Sequence, residues 1–100
     1  MRRLEGFRLP KLFNIGQYVI FFWSNENDEP IHIHIAAGNP SANATKIWLT
    51  RNGGCIVAHN KSRIPQQDLN ELLDIISLNF LNICKLWKQY FGTDDIKFYC

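Results

Sequence analysis

The run Glu29-Pro30-Ile31-His32-Ile33-His34-Ile35 holds two of the chain's three histidines, two residues apart. Strand alternation would set both rings on one face. Imidazole titrates near neutrality, so such a pair can supply a general base and a general acid. In a metal-independent ribonuclease reading, one of His32 and His34 takes a 2′-hydroxyl proton and the other protonates the leaving oxygen. Lys46 or Arg51 then stabilises the charge on phosphorus, and Glu29 orients a histidine. The same pair can fill two corners of a metal site, with Asp28, Glu29 or His59 as a third ligand, although no spacing rule selects one. The plainest alternative is two polar side chains on a solvated strand. No metal site is assigned, and no motif calls for a cofactor. Finding either histidine sealed in a core and hydrogen-bonded to backbone would sink the acid–base reading.

The neighbours of these histidines follow from the same alternation. Ile31, Ile33 and Ile35 share one face, and His32, His34 and Ala36 share the other. Along 44–51, Ile47, Leu49 and Arg51 oppose Lys46, Trp48 and Thr50. Burying the Ile/Leu faces together leaves His32, His34, Lys46 and Trp48 on the far side, joined by either Tyr18-Ile20-Phe22 or Val19-Phe21-Trp23. A one-residue slip would invert any strand's contribution. The result is an aromatic, mildly basic face suited to single-stranded nucleic acid, because aromatic rings stack on bases and cations meet phosphates. Lys46, Trp48, Arg51 and Trp23 are the expected contacts.

The elements that must position these residues read as α+β. Residues 1–16 are expected to be irregular, with a short strand around 5–9. Residues 17–24 are β-branched and aromatic and apolar on both faces, the strongest strand pattern in the chain. A polar turn at 25–29 leads to a strand at 31–36, then strands at 44–51 and 55–59 around the hairpin signal Asn52-Gly53-Gly54. The pattern predicts an antiparallel meander of about four strands over 17–59. One long C-terminal helix, 66–91, packs on one face. Pro65 suits its start, Asp68 its first turn and Gly92 its stop. Its apolar stripe is wider than one sheet face needs. The excess has two outlets, the N-terminal segment or a second subunit, the latter making a homodimer. Residues 96–99 are expected to add a short strand.

A chain of 100 residues is a single domain, 46% hydrophobic and 20% charged, and therefore ordered. Aromatics at 13% are rich for so small a core and suggest that some face a partner. The net charge of +2 supplies too weak a field for nucleic acid, so any basic site must come from local clustering. Three widely spaced cysteines without a C-x-x-C give no disulfide framework. Cys55 and Cys84 read as small core residues, and no local motif supports a catalytic thiol. Met1-Arg2-Arg3 is followed by no apolar leader, and the longest apolar run, 18–23, is too short to span a bilayer. A soluble, cytoplasmic protein without membrane contact is expected.

Phe22-Trp23-Ser24-Asn25-Glu26, followed by Glu29-Pro30-Ile31-His32-Ile33-His34, resembles the signature of a small bacterial family, domain-of-unknown-function family 4160. Lys46-Ile47-Trp48-Leu49 and Trp87-Lys88-Gln89-Tyr90-Phe91 continue the resemblance. This chain has Pro30-Ile31 where members often carry Pro-Pro, and its 59–65 segment is unusually basic. The family has no settled activity. Its genes often neighbour those of a second small protein, as in toxin–antitoxin pairs. The resemblance therefore implies a toxin–antitoxin-like module that acts on or binds RNA or DNA, with a cognate antitoxin-like partner. A non-enzymatic protein-binding module, using the aromatic sheet face or the helix stripe, is the alternative.

Overall fold

The computed structural model describes residues 11–23 and 28–100. The strand expected around 5–9 and most of the 25–29 turn lie outside them. Five strands form one sheet in sequence order: β1 (Lys11–Ile15), β2 (Tyr18–Phe21), β3 (His32–Ala37), β4 (Thr45–Leu49) and β5 (Cys55–His59). All neighbours are antiparallel. The meander and its helical layer are as the sequence predicts, with one strand more and the helix in two pieces: α1 (Gln66–Leu78) and α2 (Phe80–Phe91).

The additional strand is β1, in a stretch expected to be irregular. It pairs with β2 through a two-residue turn in which Gly16 has φ 58°, a left-handed backbone that glycine takes without a Cβ clash. A register shift between Lys11 and Phe13 breaks the alternation that would have advertised the strand.

The interruption between the helices is Asn79, at φ −103° and ψ 15°. Its Nδ2 donates to the Ile75 carbonyl at 2.8 Å. Its amide is shared between the carbonyls of Ile75 and Ile76. An asparagine side chain that competes for backbone carbonyls is a recognised helix disruptor. The apolar phase survives, since Leu69, Leu72 and Ile76 of α1 and Ile83 and Trp87 of α2 are all buried. Pro65 immediately precedes α1, and Gly92 ends α2 in the left-handed conformation (φ 62°, ψ 41°).

The core lies between the helices and the sheet face formed by Tyr18, Ile20, Phe22, Ile31, Ile33, Ile35, Ile47 and Leu49. Two polar ties hold the layers in register. Tyr18 Oη donates to Asp68 Oδ2 at 2.7 Å, fixing the first turn of α1 to β2. Thr45, fully buried, donates through Oγ1 to Asn60 Oδ1 at 2.6 Å and lies within hydrogen-bond reach of Ser62 Oγ. Asn60 in turn accepts from the Ile64 amide and donates to the Ile64 carbonyl, shaping the link from β5 to α1.

Residues 96–99 do not form the expected strand. They dock as an extended strap, in which the Ile31 amide donates to the Lys97 carbonyl at 2.8 Å and the Arg51 amide to the Cys100 carbonyl at 2.9 Å. Two isolated bonds do not make a ladder. Phe98 stacks on Phe80 of α2 (centroids 6.2 Å apart). Among the described residues no helix is long and apolar enough to cross a membrane.

Candidate functional site

Register settles which side chains share the face away from the helices. His32 lies opposite Trp48, and His34 opposite Lys46, on the shared face that alternation predicts. Phe21 lies opposite His34, so it is the Val19-Phe21-Trp23 set of β2 that joins them. A further member comes from β5. Strict alternation from Ile56, opposite Trp48, would place Ala58 opposite Lys46. A bulge at this point puts His59 there instead. Phe21, His34, Lys46 and His59 thus form one row across four strands.

This face is largely closed. His32 is 1% and His34 5% exposed. The His32 ring lies 5.0 Å from that of His34, 5.5 Å from Trp48 and 5.6 Å from Trp87 of α2. His34 stacks against Phe21 (5.6 Å) and meets Trp23 edge-on (6.0 Å). His32 Nδ1–H donates to the Pro30 carbonyl at 2.8 Å. A carbonyl can only accept, so the proton of the neutral ring sits on Nδ1 and Nε2 is its basic nitrogen. Neither ring is left without a partner. The expected open histidine face is therefore corrected to a buried histidine–aromatic cluster. Four aromatic residues (Phe21, Trp23, Trp48 and Trp87) crowd the rings and exclude water.

The polar rim of the cluster is open. Lys46 Nζ donates to Glu29 Oε1 at 2.7 Å and sits 4.3 Å from the centre of the Trp48 ring. Glu29, expected to orient a histidine, here holds the lysine. Trp48 stacks flat on Tyr99 of the strap, with centroids 4.8 Å apart and planes 4° from parallel, and Tyr99 remains 59% exposed. Arg51 falls outside this group: it is exposed in the β4–β5 turn, its guanidinium 5.7 Å from the Phe98 ring.

His59 is half-buried at the edge of the row. Burial, then electrostatic repulsion from Lys61, with smaller effects of His34 and Lys46, hold its pKa below the ordinary 6.5. The Lys61 amide donates to its Nδ1 at 3.4 Å, a long contact that favours the neutral ring. Lys46 and Lys61, both close enough to His59 to affect it, supply the local positive charge that the small net charge conceals.

Sequence reasoning thus brings His32, His34, Lys46, Trp48, Trp23 and Glu29 into one place, weighs His59 there only as a metal ligand, and misses Tyr99 and Trp87. The bulge that turns His59 onto this face leaves no mark in the alternation. Trp87 reads correctly as a core residue, but that it reaches His32 depends on how α2 lies across the sheet. Among the described residues, no group of three His, Cys, Asp or Glu side chains is placed to hold a metal ion. The thiols of Cys55 and Cys84 are pushed up in pKa, in each case chiefly by burial, which suits packing roles.

A family model described as a domain of unknown function (DUF4160) matches residues 18–88. That span includes β2 through most of α2, and with them the histidine cluster, Glu29, Lys46 and His59. No curated protein and no solved structure matches the chain.

Proposed function

The chain belongs to the DUF4160 family, a domain of unknown function, and from that premise we propose that it is a binding module for single-stranded nucleic acid. The ligand lies on the sheet face away from the helices. The observation that carries this reading is the stack Lys46–Trp48–Tyr99, a cation over an indole that is itself stacked on an exposed phenol. A base stacks on the outer face of Tyr99, and phosphates meet the local positive charge around His59 and Lys61. Lys46 joins them when Glu29 lets it go. His32 and His34 act from beneath, as the packed floor that holds Trp48 and Trp23 in place. Burial and the bond to the Pro30 carbonyl weigh against proton transfer by His32, so bond cleavage is not part of the proposal. In a toxin–antitoxin-like setting, a cognate antitoxin-like protein would regulate the module by covering this same face.

Fluorescence anisotropy with labelled single-stranded RNA and DNA oligonucleotides tests the reading. The wild-type chain is expected to bind at low salt and to weaken as salt rises. Losing a stacked base costs about 1–3 kcal/mol, so Trp48→Ala or Tyr99→Ala is expected to weaken binding about fivefold to a hundredfold. Glu29→Gln removes the competing carboxylate and is expected to tighten binding, while Lys46→Ala loosens it. Absence of wild-type binding at low salt, or indifference to both aromatic substitutions, would sink the proposal.

A further inference from the structure

The solvent side of the two helices carries a pattern that packing on the sheet does not require. Glu71, Asp74, Leu78, Leu81, Lys85 and Lys88 are all exposed. Their steps alternate between three and four residues, which keeps them on one stripe. The buried set keeps its phase through Asn79, so the opposite stripe also continues across the break. Leu78 is 85% and Leu81 81% exposed, far more than any other large apolar side chain described. Among the described residues, Glu71, Asp74, Lys85 and Lys88 make no ion pair. Of these four charges only Lys88 lies in a terminal turn where a helix dipole favours it. The dipole gives no reason for two leucines in water between them.

Laid antiparallel on itself, the stripe is complementary throughout. Glu71 meets Lys88, Asp74 meets Lys85 and Leu78 meets Leu81, each pair equidistant from a centre between Asn79 and Phe80. We propose that this face is a self-association surface, on which a second copy of this chain packs antiparallel along α1 and α2. A two-fold axis requires that every contact between two positions recur with the copies exchanged. A charge order that reads acidic, apolar, basic about one centre satisfies that requirement. Parallel packing would instead set Glu71 against Glu71 and Lys88 against Lys88. The stripe from 71 to 88 is about 26 Å long at the rise of an α-helix, enough for a two-helix contact on each copy. It lies across the molecule from the sheet face that carries His34 and Trp48, so self-association leaves that face open.

Analytical ultracentrifugation of the full chain over a concentration series into the hundreds of micromolar tests the proposal. A monomer–dimer equilibrium weakened by added salt is expected. Leu78→Glu and Leu81→Glu should each raise the dissociation constant about tenfold or more, since each leaves a charge at the apolar centre. Two charge variants test whether these charges face each other across the interface. Glu71→Lys with Asp74→Lys should be monomeric, and so should Lys85→Glu with Lys88→Glu. An equimolar mixture of the two should recover dimers, because each copy then faces its opposite charge. Circular dichroism confirms that each variant is folded; if a leucine variant is not, the charge-swap mixture decides. A wild-type chain that stays monomeric overturns the proposal. So does association that survives both leucine substitutions, which would place the interface elsewhere, or a mixture that stays monomeric.

Discussion

Packing an imidazole among aromatic rings removes the water that would carry its proton, and this separates His59 from His32 and His34. His59 keeps contact with solvent, while its partial burial and then repulsion from Lys61 hold its pKa down. The unfolded chain therefore binds a proton more readily than the folded one between the depressed pKa and the ordinary 6.5. The stability contribution is fully present above 6.5 and is lost as pH falls through the folded value. Thermal melts of the wild type and His59→Gln between neutral and mildly acidic pH should show the wild type losing more stability on acidification. Equal pH dependence would remove His59 as the source. That His32, His34, Lys46 and Trp48 share one face was legible in the sequence, because Ile alternates with His on one strand and Lys with Trp on the next; which residue lies opposite which was not. Nor was their burial: alternation assigns a face but says nothing of what covers it. In the structure, crowding by Trp23, Trp48 and Trp87 makes the face a second interior.

At the scale of elements, the link from β5 to α1 depends on one buried hydroxyl. Thr45 reaches both Asn60 and Ser62, and Asn60 spans the turn to Ile64. Thr45→Val keeps the shape and removes the hydroxyl, so Asn60 Oδ1 keeps only the Ile64 amide as donor and Ser62 Oγ loses a partner, both in half-buried sites. Such a loss costs about 1–3 kcal/mol, so a lower midpoint in urea with an unchanged slope is expected. A midpoint equal to the wild type would show that water replaces the hydroxyl fully. The β2, β3 and β4 strands, the Asn52-Gly53 turn and the Gly92 stop were all readable, since each rests on local chemistry. The break at Asn79 was not, because the apolar period runs through it unbroken and only a side-chain-to-carbonyl bond marks it. β1 was hidden by its register shift, and the docked strap at 96–100 by having no ladder to join.

The whole molecule is a sheet with two differently furnished faces. One meets the helices through aliphatic side chains, and the other gathers histidines and aromatics beneath a polar rim. Stacking at Tyr99 and self-pairing at Leu78 and Leu81 fall on separate surfaces, so the two proposals can fail or stand independently. The order of the sheet has a kinetic consequence. Every ladder joins strands that are consecutive along the chain, so the loops closed during assembly are short and the entropy lost before each contact forms is small. The chain should acquire its sheet by successive hairpins, with a major refolding phase on the order of milliseconds to tens of milliseconds. Stopped-flow tryptophan fluorescence would record it, because Trp48 and Trp87 report the two faces. A major phase of many seconds would mean that closing the aromatic face, and not pairing the strands, limits the rate.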